Sequence, residues 1–177
     1  MTRVTGLMLA MIVPIVCGTG CLDAQPNVAR MKLDADIVQV KKFYSAAPWL
    51  SFDEAGDPNP EGFKVAVYLI SAQTGKGAFG DGDIEVVIYS HPKSEIGKPP
   101  AKPVVEKKWV FSPEDAMPYR VKIEAVMGFS YGLRLSWGDV DLLGKTVSVN
   151  INFRRRDGRL IQSSPKWLRV PPRFAGY

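Results

Sequence analysis

The chain has 177 residues, 46% of them hydrophobic and 23% charged, with a formal net charge of +5. A single histidine and two cysteines exclude the usual zinc, iron–sulfur and disulfide-stapled classes. No Walker-type or Gly-x-Gly-x-x-Gly loop offers a phosphate cradle, and no apolar run is long enough for a permanent membrane-spanning helix.

The first residues read as an export signal. One basic residue, Arg3, precedes the apolar run from Leu7 to Cys17, and small residues follow at once: Gly18, Thr19, Gly20, then Cys21. Residues 1–20 are therefore expected to be a signal peptide. Cleavage after Gly20 leaves Cys21 at the new N-terminus as the only cysteine, since Cys17 lies inside the leader. Gly18-Thr19-Gly20-Cys21 resembles the lipobox of bacterial lipoproteins, in which the cysteine thiol receives a diacylglyceryl group before cleavage. That resemblance implies lipid attachment at Cys21 and anchoring by several acyl chains. Lipoboxes usually carry Leu at the −3 position, where this chain has Gly18, so plain secretion stands as the alternative.

Residues 21–36 are polar, lack periodicity and read as a tether. From there, period-2 alternation dominates. Strands are expected over Ile37–Tyr44, Phe63–Ile70, Ile84–Tyr89 and Val104–Phe111. Ser112-Pro113-Glu114-Asp115-Ala116 has an N-cap serine, an early proline and early acids, so it can form a helix of one or two turns. Tyr119, Val121, Ile123 and Ala125 alternate with Arg120, Lys122 and Glu124, the pattern of a strand with one wet face. Further strands follow at Tyr131–Trp137 and Val147–Phe153. The Asp157-Gly158 pair supplies a hairpin turn into Leu160-Ile161 and on to Leu168–Val170. The expected fold is all-β: an antiparallel β-sandwich of about eight strands over residues 37–172, immunoglobulin-like or C2-like, with a tail at 173–177.

Basicity is concentrated at the C-terminal end. Residues 154–177 hold Arg154, Arg155, Arg156, Arg159, Lys166, Arg169 and Arg173 against Asp157, a net +6, which leaves −2 for residues 22–153. In an exported protein such a segment meets anionic lipid, glycan or acidic protein rather than nucleic acid.

Candidate chemistry is sparse. His91, in Ser90-His91-Pro92, would need a serine and an acid from elsewhere in the fold to build a hydrolase, and no Gly-x-Ser-x-Gly elbow is present. Two acidic pairs, Asp81/Asp83 and Asp139/Asp141, are the candidate metal ligands. Simple alternation of loops would place 71–83, 112–118 and 138–144 at one end, with the Arg154–Arg159 turn at the other. Carboxylates clustered on loops suit calcium; aspartate in strand-connecting turns is also ordinary turn chemistry, because its side chain bonds local backbone. Trp109 and Trp137 fall in the apolar register of strands and are expected in the core. Trp49 and Trp167 fall outside it, where they could cover sheet edges or stack on sugar rings.

The stretch YGLRLSWGDVDLLGKTVSVNINFRRRDGRLIQSSPKWLRVP, residues 131–171, resembles the C-terminal half of small exported bacterial lipoproteins with a β-sandwich domain. The shared features are an aromatic-Gly pair before an acidic loop, a Gly-Lys strand entry, and an Asp-Gly-Arg turn followed by Ser-x-Pro-Lys. The resemblance implies the fold and the envelope address, and no activity. The expected function is a non-enzymatic envelope module, tethered to a membrane by lipid and binding an envelope protein or glycan. The alternative is a calcium- or glycan-binding sandwich that uses the acidic loops.

Overall fold

The computed structural model describes residues 27–52, 59–92 and 101–174. Ten strands form two antiparallel sheets that enclose one core and do not close into a barrel, so the expected β-sandwich is the observed one. In chain order they are β1 Ile37–Phe43, β2 Trp49–Leu50, β3 Gly62–Ser71, β4 Gly77–Ala78, β5 Gly82–Ser90, β6 Val104–Phe111, β7 Tyr131–Ser136, β8 Thr146–Arg155, β9 Leu160–Gln162 and β10 Lys166–Arg169. In the first sheet β3 is the spine, with β1 and β2 along one edge and β7 and β4 along the other. The second sheet runs β6, β5, β8, and the outer edge of β8 carries β10 and then β9.

Alternation in the sequence explains the core. Phe63, Val65, Val67 and Leu69 of β3 and Tyr131, Leu133 and Leu135 of β7 point inward from one sheet. Ile84, Val86 and Ile88 of β5 and Val147, Val149, Ile151 and Phe153 of β8 answer them from the other. Trp137 is buried, Trp109 packs edge-on against Phe63 with ring centroids 6.2 Å apart, and Trp49 packs edge-on against Trp137 at 6.3 Å. Gly80 lets the chain cross from one sheet to the other directly over this core. A Cβ there would stand 2.5 Å from Phe153 Cζ and 2.8 Å from Leu69 Cδ1.

One expected strand does not form. After Ser112 and Asp115 cap a turn reciprocally and a 3-10 turn spans Met117–Tyr119, residues 120–130 make a hairpin-like excursion held only by isolated bridges. The edge of β3 is already occupied by β7 and β4, so the segment folds back on Ser130 and Gly77 instead of joining the sheet. Two of its residues also depart from the expected faces. Arg120, cross-strand from Tyr131, is only 6% exposed, whereas Ile123 is 67% exposed.

Residues 27–36, the described part of the expected tether, lie packed across one end of the sandwich as a strap. Val28 is buried, Met31 and Leu33 rest on the core, and Asp34 bridges to Gly80 by hydrogen bonds to Phe79 O at 2.7 Å and from Asp81 N at 2.9 Å. Arg120 fastens the strap: Nη1 donates to Val28 O at 2.6 Å, and the guanidinium lies 4.5 Å from the centre of the Phe79 ring. Burial pushes the neighbouring Tyr131 hydroxyl up to about 12, against the pull of Arg120.

A second cross-link closes the opposite edge. Where β8 lacks a partner between β9 and β10, Lys42 Nζ of β1 reaches over and donates to Val149 O at 2.7 Å and Ser163 Oγ at 2.9 Å. Desolvation, with help from Lys166, lowers its ammonium to about 8.

Candidate functional site

Strand register sorts every candidate residue to one of two poles. The strap pole gathers the ends of β3, β5, β6 and β8 at Ser71, Gly82, Phe111 and Arg155. The far pole gathers Gly62, Ser90, Ser136 and Thr146.

Asp81 and Asp83 stand at the strap pole, and so does the arginine-rich turn expected at the opposite end. Nine consecutive pairs between β5 and β8, from Gly82↔Arg155 to Ser90↔Val147, bring the Asp-Gly turn next to Asp81. Arg156 Nε donates to Asp81 Oδ1 at 3.0 Å, and this contact, with Glu114 and Asp83 nearby, holds the guanidinium above its ordinary value. Asp83 is the cross-strand partner of Arg154, and Arg155 pairs with Asp36 and Asp157 at 3.5 and 3.1 Å. Behind them Glu85 is clamped between Arg154 at 3.2 Å and Lys108 at 3.1 Å. Asp36, Asp81, Glu85 and Asp157 thus meet guanidinium or ammonium groups. Asp115, on the 112–118 loop expected at the same end as the acidic pairs, is occupied with the Ser112 cap.

Asp139 and Asp141 stand at the far pole. With no strand over 119–125, β7 runs from the strap pole to the far pole and delivers its following loop there. Asp141 accepts from Leu143 N at 3.2 Å, an Asx turn, and lies 3.9 Å from Arg173. The two acidic pairs are therefore separated by about the length of β5, whose nine residues make eight steps of about 3.3 Å, or about 26 Å. They do not form one site. Among the described residues no three His, Cys, Asp or Glu side chains come together as a metal-binding group.

The far pole carries a polar cluster built around His91. His91 is partly buried, and its Nε2 lies 2.8 Å from Ser148 Oγ. Its ring sits 4.1 Å from the ring of Trp167. The cluster is a consequence of register: Tyr89, Ser148 and Trp167 form one cross-strand row on the outer face of the second sheet. Beside it a cavity of about 610 Å³ is lined by Ser90, His91, Pro92, Gly144, Lys145, Thr146 and Arg169. Lys145 lies 3.9 Å from Glu106, and Arg169 has no carboxylate partner among the described residues. Trp167, packed on the lining residue His91, is 53% exposed, and the lining itself supplies two cations and two hydroxyls.

Ser148 and His91 meet one requirement of nucleophilic hydrolysis and lack two. Ser148 is 4% exposed, and among the described residues no carboxylate bonds the second ring nitrogen of His91 to fix its tautomer. Sequence reading missed the pair because Ser148 belongs to an unremarkable polar alternation with Asn150, Asn152 and Arg154. Cys21 and the expected signal peptide at 1–20 lie outside the described residues, as do residues 175–177 of the tail. No protein-family model, curated protein or solved structure matches the chain.

Proposed function

We propose that the chain is an exported cell-envelope lipoprotein, attached to a membrane through Cys21, whose β-sandwich works as a non-enzymatic binding module. The observation that carries this reading is the division of labour between the poles. The chain enters the domain at the strap pole, where the acids and bases are largely paired with one another. The open cavity, Trp167 and the cations Lys145 and Arg169 stand at the far pole. An exposed tryptophan beside cations and hydroxyls suits an anionic glycan: the indole stacks on a sugar ring and the cations meet its acid groups. A module held by one pole and open at the other can meet such a partner in the envelope.

Two measurements test the reading. Intact mass of the membrane-fraction protein should show a diacylglyceryl adduct at Cys21, and Cys21→Ser should move the protein to the soluble fraction; an unmodified, freely soluble native product refutes the tether. Titration with acidic envelope polysaccharide should quench tryptophan fluorescence in the parent and not in Trp167→Ala. Equal response of the two proteins refutes the far pole as the binding end.

A further inference from the structure

The hairpin-like excursion over residues 121–130 has a composition that a solvated turn does not call for. Ala125 and Gly128 exchange hydrogen bonds at 3.1 and 2.8 Å, which leaves Val126 and Met127 at the tip. Turn tips ordinarily use Gly, Asn, Asp or Ser. Val126 is instead 96% exposed and Ile123 67%, the two most exposed large hydrophobic side chains among the described residues. Gly128, at φ +91°, and Gly77 N, bonded to Met127 O, fix the tip against β4. Two lysines flank it: Lys122 on the excursion itself, and Lys76, whose Cβ lies 3.0 Å from where a Cβ at Gly128 would stand. Glu124 is the only acid on the excursion.

Its position gives this tip an occupant. The excursion is rooted at Arg120, and Arg120 Nη1 is bonded to Val28 O at the start of the strap. Cys21 precedes Asn27 by six residues, which span at most about 21 Å when fully extended. We infer that Ile123 and Val126 dip into the lipid surface to which Cys21 is attached, with Lys76 and Lys122 at the level of anionic headgroups. The excursion is then a second, shallow contact that sets the sandwich upright, strap pole toward the bilayer and far pole away from it. Burying valine and isoleucine side chains at the acyl boundary is favourable, and lysines add attraction to anionic lipid. This inference rests on the proposed attachment at Cys21.

The test separates the two. The full chain carrying Cys17→Ser is coupled through Cys21 to a maleimide-bearing phospholipid, in vesicles of phosphatidylethanolamine and phosphatidylglycerol. Attachment is then chemical and independent of natural acylation. Amide hydrogen exchange is followed at short labelling times with and without coupling. Residues 121–130 should slow about fivefold on the vesicle, the ratio that burying one valine and one isoleucine supports, while residues 144–146 at the far pole stay unchanged. Unchanged exchange at 121–130, or equal slowing at both poles, overturns the inference. In the Ile123→Ser, Val126→Ser double variant, which should melt with the parent because both side chains are exposed, the slowing should vanish; its persistence also overturns the inference. A native protein without acyl groups would end the tether and leave this measurement standing.

Discussion

Replacing Arg120 by methionine should loosen the strap before it loosens the sandwich. The guanidinium makes a 2.6 Å bond to Val28 O, a longer one to Ala29 O at 3.5 Å, and a cation–π contact with Phe79 at 4.5 Å. A charge-assisted bond and a desolvated cation–π contact together are worth about 4 kcal/mol gross. Two offsets reduce that figure. Methionine fills similar volume and removes the cost of holding a charge away from water. Arg120 Nε is also buried without a hydrogen-bond partner among the described residues, so the guanidinium is not fully satisfied as it stands. A net loss of about 2 kcal/mol follows, or a fall in Tm of about 5 °C for a domain of this size. The loss is expected to be local first. Amide exchange at Asp34 and Asp81, which share the strap's bridge, should accelerate before that of Val65 or Ile151 in the core. Arg120→Lys should fall between the two proteins, because a single ammonium can keep one carbonyl bond and loses the planar stack. A methionine variant that melts with the parent and keeps its strap protection would refute this account of the strap.

Lys42 gives stability a defined pH dependence. Its pKa falls from the unfolded value of 10.5 to about 8 in the fold, so the protonated amine destabilises the native state. That penalty is complete below pH 8 and absent above pH 10.5, so stability contributed by this group rises with pH between those limits. The side chain is partly exposed, which reduces the effect to about 1–2 kcal/mol, and urea melts of Lys42→Met should lack that rise. Gly80→Ala should cost about 1–3 kcal/mol in the same assay, because Phe153 and Leu69 occupy the space its methyl group needs. Millimolar calcium should leave the melting temperature unchanged, since Asp81 and Asp83 stand about 26 Å from Asp139 and Asp141 along strands of β5's length; a shift of several degrees would show a site at one pole alone.

Sequence by itself determined the class of fold and nearly all of the core. A side chain in a strand points to alternate faces at every step, so Phe63 to Leu69, Ile84 to Ile88 and Val147 to Phe153 announced both their conformation and their buried side. The Asp157-Gly158 turn was legible for a similar local reason, since Gly158 at φ +83° adopts a conformation that glycine tolerates. What the tertiary structure decided is everything that depends on neighbours. Period-2 alternation over 119–125 is the same whether or not a sheet edge is free to receive it. Because β7 and β4 already hold the edge of β3, those residues form an excursion with Arg120 inward and Ile123 outward. That one difference reverses which loops share a pole. It separates the acidic pairs and sets the arginine turn against Asp81. The row of His91, Ser148 and Trp167 likewise joins three distant parts of the chain, and only the register of β5, β8 and β10 brings them within hydrogen-bond and ring contact. Local propensity is written residue by residue, whereas pairing is settled by competition for a limited number of strand edges.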